Sequence, residues 1–427
     1  MNTDRARHVQ EILAQEMAKV EQIVARYCPD ALDPLKAALA VCAVASLSDN
    51  SQPTTLHLIG QPSAGKTLPL ELIMPAHEND PLAEYFYRSD NFTASSFVSH
   101  RADRSHEQLR EIDLLPKIKD RTLITPELAP LFRGKRDELT KTFGVLTRVL
   151  DGQGYVTDTG AQGHRGYMGS HNFQWLGATT PPSPEALEVM GQLGPRLLFY
   201  NADRLRPSID ELFRHARRSH DDEKYKKAKE QCRKAVRNLL LEFYRHYPPG
   251  SLRSRVVECS DHSLRQLVLW AEALTRLRAT LRWVESREDH DATSQQVDVE
   301  SWEFPERILA VLTNIAIGSA LVRGRQSIDA YDLAQVRHIA LSSGVPGRGR
   351  VLSILLDNGG EATTPEIQQL AHMSAPTALN YMRELQTVGL ARLAGGRVTT
   401  VKIAKKFREL CNAPSLKPNG AREGNRA

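Results

Sequence analysis

Gly60, Gly65, Lys66 and Thr67 stand in the order G-x-x-x-x-G-K-[ST], a spacing whose chemistry is that of a phosphate cradle. The glycines let successive backbone N–H groups turn inward around a β-phosphate, and the start of the following helix adds partial positive charge. Lys66 can reach the β and γ oxygens as a point charge, and the Thr67 hydroxyl can ligate Mg²⁺. The stretch Gly60, Gln61, Pro62, Ser63, Ala64, Gly65, Lys66, Thr67 and Leu68 is therefore expected to hold ATP with Mg²⁺. By average composition such a match arises in roughly one chain per hundred of this length. The apolar run LHLI directly before it makes a chance match rarer still. Pro69 follows early and is tolerable only in the first turn of a helix.

A triphosphate held in this way needs a carboxylate that orients the attacking water and supports the metal. RTLITPELA offers Glu127 after a short apolar run, with Mg²⁺ reached through water. Pro126 occupies the place where a second, metal-side acid would stand. Asp113 and Asp120 are less well-placed alternatives.

These residues need a frame, and the hydrophobic pattern supplies one. Between about Thr54 and Tyr200, β-rich runs (TTLHLIG, RTLIT, FQWLGATT, RLLFY) alternate with helical stretches, which predicts an α/β layer fold with a mostly parallel sheet. Residues 4–27 and 33–47 read as two helices ahead of it. From 208 to 344 the pattern is almost wholly helical, with DDEKYKKAKEQCRKAVRNLL read as a solvated helix face and 286–301 as a polar linker. The expected units are thus 1–50, 51–207, 208–344, 345–410 and a disordered tail at 411–427.

The order of motifs resembles the AAA+ ATPases, and most closely the branch of the minichromosome-maintenance helicases and related ATPases of phages and mobile elements. The resemblance is carried from about Leu56 to Ala340 by separate motifs. It implies a three-layer P-loop core with an all-α lid. SDNFTASSFVSHRADRSHEQLREIDLLPKI (89–118) stands where that branch has an insertion, and Gly154–Tyr167 where it has a β-hairpin facing a central pore. The family's hairpin carries a lysine near Thr159; here His164 and Arg165 are the cations offered to DNA. The resemblance makes Thr180, with Thr179 beside it, the polar sensor at the end of FQWLGATT. It makes Arg196 an arginine finger for a neighbour's γ-phosphate, and Arg307, or alternatively Arg265, the second sensor arginine of the lid. Homo-oligomers, as a ring of six or a filament, go with it.

After the VPGRGR hinge, the residues read as helix, helix, turn, helix and β-hairpin. Gly359-Gly360 ends the first helix, Thr364-Pro365 opens the second, Ser374 caps the third and Gly389 stops it. That succession is a winged helix, a common DNA-reading unit. Thr377, Asn380, Tyr381 and Arg383 are its expected outward residues, and Arg392, Arg397 and Lys402 its wing cations.

The rest of the composition sets bounds. Of 427 residues 41% are hydrophobic, enough for two or three cores. No apolar run reaches the ~20 residues of a membrane span, and MNTDRARHVQEILAQEM has no apolar signal core. Five scattered cysteines never form C-x-x-C, which excludes a zinc ribbon and points to reduced thiols in the cytoplasm. A net charge of +5 permits DNA without arguing for it. Three functions fit: a DNA-stimulated helicase or translocase, an ATP-dependent assembly switch on DNA with slow hydrolysis, and a protein remodeller with a winged-helix adaptor.

Overall fold

In the computed structural model the described residues are 3–99, 104–159, 163–194, 196–203, 222–288, 292–396 and 398–416, with 208–210, 212, 213 and 216. Five parallel strands form the centre: β1 (Thr54–Ile59), β2 (Phe86–Arg88), β3 (Thr122–Thr125), β6 (Gln174–Thr179) and β7 (Phe199–Asn201), in the order β2-β3-β6-β1-β7. An antiparallel hairpin, β4 (Gly154–Thr159) and β5 (Gly163–Met168), is inserted between β3 and β6. β2 is a three-residue edge strand whose run, EYFYR, is too short to stand out by pattern.

All six residues of β1 are buried, because a parallel sheet is covered on both faces and its strands lose polar alternation. Period-2 geometry then sorts the side chains. Leu56, Leu58, Leu176, Ala178, Leu198 and Tyr200 enter one core, whereas Ile59, Leu123, Trp175 and Phe199 enter the other. The second face is covered by helices Arg136–Val149 and Pro184–Leu193. The first is covered by the N-terminal helices and by helices that follow the sheet. The chain is therefore a mixed α/β fold with helices on both faces of a parallel sheet.

The N-terminal helices, Thr3–Tyr27 and Leu32–Val44, are filler between layers rather than a separate unit. Eleven residues of Leu32–Val44 are buried, and Gly318 of helix Pro305–Val322 comes so close that a Cβ there would lie 2.2 Å from the Ala40 carbonyl. Among the described residues, Pro305–Val322 is the one helix long and apolar enough to cross a membrane, and more than half of it is buried in this packing.

The basic helix Asp222–His246 corrects the reading of a purely solvated face. Lys229 pairs with Glu71 at 2.5 Å, Arg233 donates to the Glu71 carbonyl at 3.2 Å, and Arg237 pairs with Asp80. Three of its cations thus grip the segment that follows the phosphate cradle. Burial raises the Asp80 carboxyl, but the Arg237 guanidinium and the N–H groups of Ala76 and Leu82 outweigh it and hold the group down, to about 2.

Residues 286–301 are likewise not a linker. With 280–285 they form a second antiparallel hairpin, β8 (Thr280–Glu288) and β9 (Ala292–Ser301). The polar sequence hid it because a two-stranded ribbon buries little of either face. Beyond it, helices Pro346–Asp357, Thr364–Ala371 and Ala375–Thr387 pack with a small sheet ordered β10 (Glu361–Thr363), β12 (Thr400–Ile403), β11 (Ala391–Ala394). The cap of the second helix is Thr363, one residue before the expected one, in a capping box with Glu366. This unit is bolted to helix Asp261–Arg278. Arg348 donates to the carbonyls of Leu277 and Ala279 and pairs with Glu384 at 2.6 Å, and Arg276 donates to the Val388 carbonyl at 2.6 Å. The start of the expected disordered tail is docked too: Ala413 is buried and its carbonyl accepts from Arg337 at 3.0 Å. Residues 417–427 lie outside the described ones.

Candidate nucleotide site and the two edges of the sheet

At the C-terminal edge of the sheet, the ends of four strands, β1, β3, β6 and β7, are laced together by backbone hydrogen bonds. Gly60 N–H donates to the Thr179 carbonyl at 3.3 Å, Leu128 N–H to Ala178 at 2.8 Å, and Ala202 N–H to Ile59 at 2.8 Å. This lacing brings the Gly60–Thr67 loop, Glu127 and Thr180 to one edge, where ligands of open α/β sheets bind. Ser63 (φ 64°) and Gly65 (φ 84°) take left-handed backbone while Thr67 is already right-handed, which turns successive N–H groups to one side. A Cβ on Gly65 would meet nothing within 4 Å, so the loop faces open space there. Helix Leu68–Ile73 starts at once, with Pro69 in its first turn where no N–H is missed.

Lys66 is only 8% exposed, yet its Nζ finds a single protein partner, the Gln61 carbonyl at 3.4 Å. A buried ammonium with one long hydrogen bond is under-satisfied, and an incoming anion is what would complete it. The donor set therefore fits a triphosphate with its metal. Thr67 and Glu127 are available to the cation, and among the described residues no cluster of three His, Cys, Asp or Glu offers a competing protein-only metal site.

Glu127 is exposed, two residues past β3, and its Oε1 accepts only from the Ala129 N–H at 2.9 Å. Pro126 precedes it without a carboxylate. The alternatives are placed otherwise. Asp113 is 1% exposed and structural: it accepts from Ser99 N–H and from the Tyr167 hydroxyl, both at 2.8 Å. Asp120 sits in a left-handed turn (φ 59°) at the opposite end of β3. Thr180 is half-buried beside Gly60, and Thr179 turns its hydroxyl to the Thr180 carbonyl at 2.9 Å.

Sequence reasoning missed Asp203. Its Oδ1 accepts from the Gln61 N–H at 2.7 Å, and a Cβ on Gly60 would lie 2.9 Å from the same oxygen. Gly60 is thus needed for this approach as well as for the loop. The only signal was an acid two residues past the strand that pairs with β1.

Arg196 and Arg307 lie at the other edge. Thr55 Oγ donates to the Arg196 carbonyl at 3.0 Å, near the start of β1, and the loop begins five residues later, roughly 16 Å away along an extended strand. Arg196 binds Asp151 Oδ1 through Nε (3.3 Å) and Nη2 (3.2 Å), and Arg307 Nη2 reaches the same oxygen at 3.1 Å. The two arginines come together with each other and not with their own chain's phosphate loop. Arg265 is elsewhere again, exposed and paired with Glu409 at 2.6 Å.

The expected DNA contacts divide. His164 is exposed and holds Asp158 at 3.0 Å across the hairpin. Arg165 is a correction: strand alternation turns it to the covered face, where it is 7% exposed and donates to the Ser99 carbonyl at 3.3 Å. It offers DNA no free guanidinium. On helix Ala375–Thr387, Thr377 and Arg383 are exposed and Asn380 is half-buried. Tyr381 is half-buried like Asn380, with its ring packed over Gly347, where a Cβ would come within 2.0 Å of it. Arg397 lies outside the described residues.

No family model matches the chain, and none of the curated proteins does. Among solved structures, the crystal structure of Cdc6p from Pyrobaculum aerophilum is similar over 93% of this chain and 93% of that chain, at 11% identity and a TM-score of 0.20. A likeness that loose carries no weight, and the functional reading rests on the residues themselves.

Proposed function

We propose that the chain is an ATP-hydrolysing, DNA-binding P-loop protein of the AAA+ kind that acts as a homo-oligomer. The observation that carries this is the separation of its parts. Lys66, Thr67, Glu127 and Thr180 converge at one edge of the sheet, and Arg196 with Arg307 at the other. A site built from both needs a second copy whose N-terminal edge faces the first copy's loop. In it the Gly60–Leu68 loop and Lys66 bind and orient the β and γ phosphates, Thr67 holds Mg²⁺ and Thr180 flanks the reacting phosphate. Glu127 accepts a hydrogen bond from the attacking water and orients it. Arg196 and Arg307 of the adjacent copy meet the charge that develops on transfer. Mg·ATP itself supplies the leaving group and the metal's charge.

DNA is assigned to the C-terminal unit, read as a winged helix, through Thr377, Asn380 and Arg383, with wing cations and His164 as backbone contacts. The five free thiols suit a cytoplasmic protein. A helicase or translocase remains the first reading. Two observations favour an assembly switch with slow hydrolysis: Pro126 in place of a second acid, and the buried Arg165 on the hairpin. The deciding experiment measures ATP turnover with and without single- and double-stranded DNA, beside particle mass in a non-hydrolysable analogue. DNA-stimulated turnover with strand displacement supports the helicase. DNA-dependent assembly without unwinding supports the switch. No nucleotide-dependent assembly and no turnover would overturn both.

A further inference from the structure

We infer that Asp151 is a positioning residue that aligns Arg196 and Arg307 for one phosphoryl group, presented by the nucleotide of a second copy of this chain. The inference rests on the shared-site reading above. Asp151 stands two residues after helix Arg136–Val149, and three guanidinium groups converge on it. Oδ1 takes Arg196 and Arg307 as described, and Oδ2 takes Arg148 Nη1 at 3.3 Å. One negative charge thus faces three positive ones. Arg148 is 65% exposed and screened by solvent, but Asp151 and Arg196 are less than one-fifth exposed and Arg307 about one-third, so the pair of arginines on Oδ1 is only partly screened and a further anion complements it. A donor is also left over: Arg307 Nη1 is buried without a hydrogen-bond partner. Both arginines line an open pocket with Gln52 and Arg278. Arg278 is already spent on the carbonyls of Ser343 and Leu197 and on Glu303, and Arg196 on Asp151 and the Gly194 carbonyl, which leaves Arg307 Nη1 as the open donor, with the Arg196 charge beside it.

Why a carboxylate between them matters follows from where they come from. Arg196 is on the run into β7 and Arg307 is on the third residue of the lid helix Pro305–Val322. Among the described residues only Asp151 touches both side chains by charge-assisted bonds, so it sets their spacing and makes the core and the lid present them together. Loss of that alignment is expected to cost turnover, not nucleotide affinity, because the Lys66 edge is a full strand away.

The test uses full-length proteins mixed in pairs. Arg196→Ala protein keeps an intact phosphate loop, and Lys66→Ala protein supplies intact arginines. Mixed, they are expected to hydrolyse ATP. Lys66→Ala/Asp151→Asn protein, mixed with Arg196→Ala in the same way, is expected to restore about 10²-fold less, while Asp151→Asn alone stays folded at the assay temperature, with a lowered melting temperature, and binds ATP within twofold of the parent. Lys66→Ala/Asp151→Glu, which retains the charge, is expected to restore at least a third of the activity. Equal restoration by the Asn and Asp variants overturns the role of Asp151 and leaves the shared site standing. If the Asn variant does not fold, a Glu variant that folds and restores nothing overturns it as well. No restoration by Lys66→Ala itself, with subunit exchange shown by mass, overturns the shared site. A free-phosphate pocket would instead show inorganic phosphate raising the melting temperature of Lys66→Ala protein while the mixtures stay inactive.

Discussion

The two edges of the five-stranded sheet hold their functional groups in different ways. At the C-terminal edge the positions are set by backbone: strand ends laced by N–H···O bonds present Gly60, Glu127 and Thr180, and the side chains there are under-satisfied, Lys66 by one long bond and Glu127 by its own turn. At the N-terminal edge the positions are set by side chains, with Arg196 and Arg307 drawn in from different elements by Asp151. The first edge has the make-up of a ligand acceptor. The second is a pre-paired donor set. Each lacks what the other has, and this is the physical case for a site completed between copies.

The largest effect should come from the acceptor edge. Lys66→Ala removes the point charge that the phosphate loop itself carries and is expected to lower ATP affinity by about 10²-fold or more, measured with a fluorescent nucleotide. Affinity within twofold of the parent would overturn the phosphate loop. Glu127→Gln keeps the shape and removes the base: binding should persist while turnover falls about 10²-fold or more. Parental turnover would take the role away from Glu127, and the buried Asp113 could not inherit it without losing its hold on Ser99 and Tyr167.

A smaller effect sharpens the donor edge. Arg307→Ala should lower turnover at least tenfold with ATP affinity unchanged, whereas Arg265→Ala should leave turnover within twofold, because it releases only an exposed pair with Glu409. The reverse result would move the lid's arginine away from Asp151.

The smallest effect concerns the sheet between the edges. His57 is fully buried on β1 between Trp175 and Phe199, and burial drops its pKa to about 3. The unfolded chain takes up this proton near pH 6.5, the folded one only near 3, so stability should fall as pH falls from 6.5 toward 3. The full window amounts to a few kcal/mol. Denaturant midpoints across pH 4–7 should show a flatter slope for His57→Leu; an unchanged slope would show that His57 is not the group titrating.

This contrast also explains what was legible in the sequence. The acceptor edge could be read because its residues are tied to strand ends, and TTLHLI, TLIT and QWLGAT announce those ends by their own burial pattern. Asp203 could not be read, since its bond to Gln61 depends on β7 lying beside β1. Arg165 had a cationic turn sequence, but which hairpin face is covered depends on Ser99, over sixty residues away. Lys229, Arg233 and Arg237 looked like solvated charges because their partners, Glu71 and Asp80, are distant in the chain. The β8–β9 ribbon has only a short apolar patch, Leu281 and Trp283 opposite Val299 and Val297, which shows as one face only once the two runs are paired. Asp151 carried no signal at all: a DGQG turn gives no hint that two arginines from other elements will meet there.

The central claim, that the two edges act on each other across copies, is tested most directly by mixing Arg196→Ala with Lys66→Ala protein and measuring ATP turnover at defined ratios. Each alone should be nearly inactive, the first because it binds ATP without the finger, at a cost of about 10³-fold in rate, the second because it binds no ATP. The mixture should show turnover well above either, greatest near equal amounts, since some interfaces then pair an intact Lys66 edge with an intact Arg196 edge. Turnover no higher than that of the separate proteins, with subunit exchange demonstrated by mass, would contradict the account.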